Sequence, residues 1–464
     1  MIFDSLVYVC FLPLTVLAQR LTPQRLRWVV LLAASYVFYA WWNVSLTALI
    51  ALVTLLSYGA GLLVEKTGSK AGKRWVLLLT LTCLVGILGY FKYFNMLAEL
   101  IHGMNPAEIL LPVGISFYTF QAISYVVDVY RGELPAQRHL GYYGLYLAFF
   151  PQLVAGPIER AGSLIPQLRR GTLADRTDIR AGVRLLLTGY FRKIIGADLA
   201  APFVNAVYGM PSPDGSAVAA ATVLFALQIY CDFSGYSEIA AGSARLLGIR
   251  LMQNFRRPYA AWNIRDFWHR WHISLTVWFT DYVYIPLGGS RRGLLRQMAA
   301  ASAVFALCGL WHGAQWSFVI WGLLHGVYLN IHTLWRRYRP KTPGGRGERL
   351  AGRLLTLAAV DFAWIFFRAE SVSRAFQLVG CLISPWHPTL GLGQLMTAAP
   401  RGTSWTVLLG LFAAVSLTIA GMPGQQDQRK LSPAAWAGLV LAVLVGILVR
   451  MDSGMVNAFL YFQF

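Results

Sequence analysis

The sequence predicts an all-α, polytopic integral membrane protein, and three observations support this fold class. Of its 464 residues, 57% are hydrophobic and only 13% are charged, whereas a typical soluble domain has about 25% charged residues. The mean hydropathy is +0.53, so a soluble fold of this chain would lack the volume to bury its apolar surface. Long apolar stretches recur from the first residues to the last, and basic residues gather in the segments between them.

A helix needs about 20 apolar residues to cross the hydrocarbon core of a membrane. We expect about eleven full crossings, accompanied by re-entrant or interfacial helices. Segment 298–311 is expected to be too short to cross alone. The chain shows no internal repeat and no separable soluble region, which predicts one membrane-embedded domain over residues 1–464. The candidate segments are 2–19, 28–43, 45–64, 75–95, 108–130, 140–156, 183–207, 217–240, 298–311, 314–334, 353–368, 404–422 and 433–450.

The positions of Lys and Arg predict the orientation in the membrane. Basic clusters precede the second and fourth segments, whereas the loop near Asn43 contains neither Lys nor Arg. Because basic loops stay in the cytoplasm, this alternation places the N-terminus outside. Residues 160–184 and 336–353 are further basic cytoplasmic candidates, and 339–346, which contains Pro and Gly, is expected to be a flexible connector.

The net charge of +20 is distributed in short runs between apolar segments and does not form one basic face. This pattern favours membrane topology over nucleic-acid binding, so no nucleic-acid partner is expected. The five cysteines are scattered and odd in number, which predicts buried thiols and no disulfide framework. Asp4 stands where a signal peptide would be basic, so we expect residues 1–18 to form a retained first helix.

Residues 254–292 interrupt the apolar pattern. They are too rich in Arg, Asp, His and Trp for a membrane crossing and too aromatic for a solvated loop, which predicts amphipathic helices at the interface or beneath the bundle. On helical spacing Arg265, His269 and His272 share a face between two tryptophans. That face either binds an anionic thioester carrier or the phosphates of a coenzyme, or it only anchors the protein. No metal site is expected, since H-x-x-H lacks a third ligand at suitable spacing.

His312 stands at a glycine-flanked break between two apolar segments. A buried imidazole is unfavourable in the membrane unless it faces a cavity or a partner, which makes His312 a candidate functional group. Gly313 would allow a bend and a close approach of backbone to a ligand. The alternative is a core histidine that is hydrogen-bonded to a neighbouring helix. His325 is expected to be a packing or gating residue.

Acidic residues also occur within apolar runs, at Asp128, Asp232, Glu238 and Asp361. Asp232 and Glu238 belong to a small, polar and aromatic stretch that is not typical of a lipid-facing helix. Such acids either line a cavity or form hydrogen bonds between helices, and both interpretations remain open.

A series of motifs, all in one order, resembles the bacterial membrane-bound O-acyltransferase family. The resemblance is strongest to its branch of alginate and cellulose O-acetylation membrane proteins, and it extends over nearly the whole chain. The D-alanyl transfer protein of teichoic acid modification is similar at a greater distance. The motifs are residues 111–121, 150–159, 254–259, 267–275, 281–289, 310–313 and 459–464.

The resemblance implies a ring of transmembrane helices around a central funnel that brings the two membrane faces close together. It also implies that His312 is the catalytic histidine and that His272 is the second histidine. Such a role for His312 requires a passage that leads to its ring from a membrane face. Substrate contacts are expected from residues of the same motifs and from Arg265, which lies between two of them. These residues are Asn254, Arg265, His269, Arg270, Trp271, Asp281 and Trp311.

By resemblance, the protein is expected to pass an acetyl group from a cytosolic thioester, acetyl-CoA or a similar donor, across the bacterial inner membrane. A periplasmic acetyltransferase of the SGNH-hydrolase type would receive it and complete the O-acetylation of an exopolysaccharide of the alginate or cellulose type. His312 would be the general base or a transient acyl acceptor. Membrane lipid is the expected surrounding, and no permanently bound cofactor is expected. The competing functions are a membrane transporter or channel and a non-catalytic scaffold of a polysaccharide export complex.

Overall fold

The computed structural model describes residues 1–101, 109–154, 156–338, 345–397, 436–441, 443–444, 447 and 459–460. Its regular elements within these ranges are all helical, which confirms the predicted all-α class. The predicted helix over 404–422, most of the one over 433–450 and residues 339–344 of the predicted connector lie outside the described residues.

The helices follow one another with short connections. In chain order they are α1 (Leu6–Leu21), α2 (Arg27–Ala40), α3 (Thr47–Lys66), α4 (Lys70–Leu100), α5 (Ile115–Arg131), α6 (Leu140–Ala148), α7 (Phe150–Leu153), α8 (Ala161–Arg170), α9 (Arg176–Phe191), α10 (Leu199–Gly209), α11 (Gly215–Leu246), α12 (Ile264–Trp268), α13 (Ile273–Phe279), α14 (Leu294–His312), α15 (Trp316–Tyr338), α16 (Arg346–Arg368), α17 (Val372–Ile383) and α18 (Pro388–Thr397). A π-helical turn, Arg192–Asp198, joins α9 to α10.

Within the described ranges, five helices are long and apolar enough to cross a membrane: α3, α4, α11, α14 and α16. This supports the prediction of a polytopic membrane protein, while the total of about eleven crossings and the funnel stay predictions. The expectation that 298–311 is too short to cross alone is wrong. It belongs to the 19-residue α14, which already begins at Leu294. The prediction began the helix too late because Arg296, in its first turn, interrupts the apolar sequence.

The chain divides into two compact units. The first unit consists of Met1–Leu186 and Tyr236–Met252, and the second consists of Leu187–Gly235 and Gln253–Phe464. Helices α9 and α11 therefore each contribute residues to both units. The single domain predicted over 1–464 stays a prediction.

Two of the sequence motifs meet inside the first unit. Gly114 begins α5 in a left-handed conformation with φ +75°, and a Cβ atom there would overlap the carbonyl oxygen of Leu153. Only glycine tolerates both the conformation and the contact. The carboxylate of Glu159 accepts a hydrogen bond of 2.5 Å from the backbone N–H of Met252. The motifs at 111–121 and 150–159 therefore pack the first unit together.

The basic loops of the first unit lie at one end of it. Arg27 donates to the carbonyl of Gly171 at 2.7 Å, which joins the loop after α1 to the loop after α8. Arg169 donates to the side chain of Gln137 at 3.1 Å, which adds the loop after α5. This gathering of positive charge at one end is the arrangement that the positive-inside rule requires.

In the second unit, α14 and α15 form a tight hairpin. A Cβ atom on Gly309 would overlap the carbonyl oxygen of Phe318, and one on Gly322 would overlap the carbonyl oxygen of Phe305. The two backbones are therefore in direct contact, as small residues permit between membrane helices. Gly313 follows α14 with an extended backbone, and a Cβ atom on it would overlap the ring of Phe318. The hairpin thus fixes the short turn after α14.

We predict that Gly309→Ala or Gly322→Ala destabilises the protein, because each methyl group must push α14 and α15 apart. Over-packing of this kind costs about 1–3 kcal/mol. The measurement is the apparent melting temperature in detergent, and the matched control is Gly380→Ala in α17, where the added Cβ meets no atom within 4 Å. Equal melting temperatures for all three variants would contradict the contact between the helices.

Candidate functional site

His312 is the last residue of α14, at the turn of the hairpin. Three aromatic rings surround its imidazole: the ring centroids of Trp311 and Trp321 each lie 5.0 Å from that of His312, and Phe367 lies 5.2 Å away. The side chain is only 4% exposed. An open passage to the ring, which a catalytic role requires, is therefore not seen among the described residues, and a substrate can reach it only after an aromatic side chain has moved.

His272 lies between α12 and α13 in a left-handed backbone conformation, with φ +43°. Non-glycine residues adopt this conformation at a free-energy cost, and strained residues of this kind cluster at functional sites. Asn254 holds the conformation in place, since its carbonyl oxygen accepts from the N–H of Ile273 at 2.9 Å. Its side-chain oxygen accepts from the hydroxyl of Ser274 at 2.6 Å. Asn254 therefore orients the loop that carries His272.

The indole of Trp311 brings the two histidines together. Its ring centroid lies 5.8 Å from the imidazole of His272 and 5.0 Å from that of His312. The ring of Phe233, from α11, contacts His272 from another side at 4.6 Å. The structure thus groups the two histidines that the resemblance implies as catalytic around one tryptophan.

The predicted helical face of Arg265, His269 and His272 is wrong. Helix α12 ends at Trp268, and the left-handed residue at 272 turns the chain before α13 begins. His272 is buried, whereas Arg265 and His269 are exposed. The three side chains share no helix, so they form no common surface on a helix.

The other predicted substrate-binding residues have different surroundings. Trp271 is buried and stacks on Phe267, with ring centroids 5.5 Å apart. Arg270 pairs with Asp266 at 2.7 Å, and Asp281 is half-buried in a π-helical turn, Thr280–Tyr284. Their substrate contacts stay predictions.

His325 lies in α15 and is fully buried. Its Nδ1 atom accepts a hydrogen bond of 3.3 Å from the indole N–H of Trp268. Its ring centroid lies 5.0 Å from that of Trp321. These contacts confirm the packing role, while a gating role stays a prediction.

Three ring contacts of the two histidines were not identified from sequence: Trp321, Phe367 and Phe233. Trp321 lies nine residues after His312 on the next helix, α15, whereas Phe367 belongs to α16 and Phe233 to α11. The aromatic residues of these helices were visible in the sequence, but their spacing does not reveal which ring faces a histidine. Among the described residues, no three His, Cys, Asp or Glu side chains converge as metal ligands.

Burial lowers the pKa of His272 to about 3. His272 lies outside the five membrane-spanning helices, and its imidazole is therefore neutral at physiological pH. A neutral imidazole can donate one hydrogen bond and accept another without adding charge to the site.

The comparison with protein families identifies the chain. Residues 38–349 match the sequence model of MBOAT, the membrane-bound O-acyltransferase family. The chain belongs to this family. It is therefore a multi-pass membrane O-acyltransferase surrounded by lipid. This assignment favours an enzyme over a transporter or a scaffold, and the matched range contains both His272 and His312.

Individual relatives agree with the family. A probable alginate O-acetylase of Pseudomonas putida is 34% identical, and the alignment covers the whole of both chains. A peptidoglycan O-acetyltransferase of Helicobacter pylori is 34% identical over 76% of this chain and 72% of its own. A teichoic acid D-alanyltransferase of Bacillus subtilis is 26% identical over 57% of this chain and 70% of its own. The resemblance to the alginate branch is thereby confirmed.

We predict that replacing His272 changes the pH dependence of stability. The pKa of the imidazole is about 6.5 in the unfolded chain and about 3 in the folded one. The stability that this group contributes is complete above pH 6.5 and is lost as the pH falls towards 3. Between pH 7.5 and 5, the loss is about 2 kcal/mol, from 1.5 pH units at 1.36 kcal/mol each.

The measurement compares the apparent melting temperatures of wild type and His272→Gln in detergent at both pH values. The wild type should lose more stability on acidification than the variant, which cannot titrate. His269→Gln, which removes an exposed histidine, should retain the wild-type difference. An identical pH dependence for wild type and His272→Gln would show that His272 titrates normally in the folded protein.

Proposed function

We propose that this acyltransferase passes an acetyl group from a cytosolic thioester, such as acetyl-CoA, to a hydroxyl acceptor on the opposite side of the bacterial inner membrane. The observation that supports the proposal best is the grouping of His312 and His272 around Trp311. In this proposal the thioester reaches the imidazole of His312 from one membrane face and the hydroxyl acceptor from the other, after a conformational change.

His312 acts as the general base. Its imidazole removes the proton of the acceptor hydroxyl, and the oxygen attacks the carbonyl carbon of the thioester. The C–S bond then breaks, and the thiolate leaving group takes the proton from the imidazolium. The proton that the imidazole removes from the hydroxyl is the one that the thiolate receives, so the site needs no external acid. In an alternative route, the acyl group is first transferred to the imidazole of His312, and the hydroxyl then attacks this acyl-imidazole.

His272 contributes through its neutral imidazole. A ring N–H that points at the thioester carbonyl stabilises the negative charge that develops on the oxygen, and burial strengthens such a hydrogen bond. Trp271 and Arg270 orient the donor from the adjoining turn. The left-handed backbone at residue 272 fixes the position of the imidazole before substrate binds. No free energy is then needed to order the imidazole during the reaction.

Access to His312 depends on the aromatic rings that cover it. Trp321 and Phe367 lie on α15 and α16, and a rotamer change of either ring would expose the imidazole. Closure of these rings over bound substrate would exclude water and so protect the thioester from hydrolysis.

The names of two relatives support a proposal for the acceptor. The alginate O-acetylase and the peptidoglycan O-acetyltransferase are named for polysaccharides of the cell surface. We propose a polysaccharide of the alginate or cellulose type as the final acceptor, reached through a periplasmic acetyltransferase of the SGNH-hydrolase type. The basic end of the first unit then faces the cytoplasm and the N-terminus the periplasm.

We predict that His312→Gln lowers the rate of acetyl transfer at least 100-fold, because general base catalysis contributes about 10²- to 10⁴-fold. The measurement is the consumption of labelled acetyl-CoA by purified protein in proteoliposomes with acceptor present. The matched control is His325→Gln, the same change at a buried histidine of the same hairpin, which should keep at least a third of the activity per folded molecule. Full activity of a correctly folded His312→Gln would refute the catalytic assignment.

We also predict that transfer is vectorial. With labelled acetyl-CoA trapped inside proteoliposomes, label should appear on an SGNH-type acetyltransferase or polysaccharide added outside. His312→Gln vesicles, which differ in one side chain, serve as the control. Release of intact labelled acetyl-CoA to the outside would indicate transport of the donor, and label confined to the inside would exclude transfer across the membrane.

A further inference from the structure

A buried ion cluster lies in the second unit, beside the candidate site. The Nζ atom of Lys193 lies 2.7 Å from Oδ1 of Asp198 and 2.8 Å from Oδ1 of Asp232. All three side chains are almost completely buried. This arrangement agrees with the sequence interpretation in which Asp232 joins helices, because its carboxylate binds groups of other elements.

Stability alone does not explain such a cluster. Removing charges from water is unfavourable, and well-packed apolar residues of the same volume often stabilise a protein as well as a buried ion pair does. An ion pair differs from apolar packing in being directional. It fixes the rotation and the axial position of the helices that carry its members, whereas apolar contacts allow them to slide.

The cluster fixes α11 against the π-helical turn Arg192–Asp198. The two elements already pack closely, because a Cβ atom on Gly235 would lie 3.1 Å from the backbone nitrogen of Lys193 and one on Gly196 would lie 2.6 Å from the Sγ atom of Cys231. π-Helical turns within helices are frequent at functional sites. Lys193 projects from this turn to Asp232 of α11 and so connects the two elements by charge.

The residue next to Asp232 contacts the candidate site directly. The ring of Phe233 meets the imidazole of His272 edge to face, with centroids 4.6 Å apart and an interplanar angle of 85°. One turn earlier on α11, the ring of Tyr230 lies 6.2 Å from that of Trp271 and beneath the guanidinium of Arg192. A rotation of α11 would therefore displace both rings from the loop that carries His272.

The second oxygen of Asp232 is used as well. Its Oδ2 atom accepts a hydrogen bond of 2.8 Å from the backbone N–H of Leu460. The ring of Phe459 lies 6.0 Å from that of Phe233. Asp232 is thus held on two sides, which leaves α11 little freedom to rotate at this position.

We propose that Lys193 and Asp232 are positioning residues for acyl transfer, which set the orientation of His272 through Phe233. The proposal rests on the proposed function, in which His272 stabilises the developing charge on the thioester oxygen. Neither residue touches the reacting atoms. Their effect is to hold α11 at the rotation in which the ring of Phe233 limits the imidazole to its productive orientation.

The decisive variant is Asp232→Asn, which keeps the side-chain volume and an oxygen acceptor for Leu460 and leaves Lys193 paired with Asp198. We expect kcat to fall at least tenfold while KM for acetyl-CoA stays within twofold, because binding is intact and the catalytic geometry is not. The matched control is Asp178→Asn, which removes the partner of Arg245 (2.9 Å) in the first unit and should leave kcat within twofold.

A double variant tests whether Asp232 acts through Phe233. Phe233→Ala should lower kcat about as much as Asp232→Asn, and the double variant should be no slower than Phe233→Ala alone, within twofold. A merely structural role predicts that the two losses multiply. If Asp232→Asn does not fold, Phe233→Leu tests the proposal instead. This variant leaves the charges intact and should still lower kcat without changing KM.

Two results would overturn the positioning role: an unchanged kcat in folded Asp232→Asn or in Phe233→Leu, or a double variant whose loss equals the product of the single losses. These outcomes are separable from failure of the proposed function. An active His312→Gln removes the catalytic assignment itself, whereas an inactive His312→Gln together with a fully active Asp232→Asn removes only the role of the ion cluster.

Discussion

Gly309 and Gly322 let the backbones of α14 and α15 touch, and the position of His312 depends on that contact. In a lipid environment helices gain little from apolar burial against each other, so close packing at small residues is a main source of their association. The hairpin leaves only three residues between the two helices. His312 is therefore held by backbone geometry, and the aromatic rings around it are arranged on rigid elements.

The aromatic enclosure has two effects that favour the same chemistry. It removes water from the imidazoles, so that His272 remains neutral and an uncharged base is available. It also lowers the local dielectric, which strengthens any hydrogen bond to charge that develops during the reaction. The enclosure must open for substrate, and the phenyl ring of Phe367 carries no polar group that its rotation could leave unpaired.

Composition and basic loops were sufficient to predict the class of the fold, because membrane helices follow directly from apolar length. The break at His312 was also visible, since glycine flanks it. The turn at His272 was not visible, because a left-handed histidine has no sequence signature and is held by Asn254 from eighteen residues earlier. Only part of the ion cluster was predictable from the sequence. Asp232 was identified because it lies in an apolar run, whereas its pairing with Lys193 depends on how two helices pack.

Lys193 and Asp232 lie on segments that leave the ribosome one after the other. Lys193 has a neutralising acid on its own segment, since Asp198 follows five residues later and pairs with it. Asp232, in contrast, lies thirteen positions from Arg245, the one basic residue of α11. A carboxylate at the centre of an isolated membrane helix costs about 2.5–3.5 kcal/mol during insertion, and Lys193, which is synthesised earlier, offsets this cost. Insertion of α11 therefore depends on the segment that entered the bilayer before it.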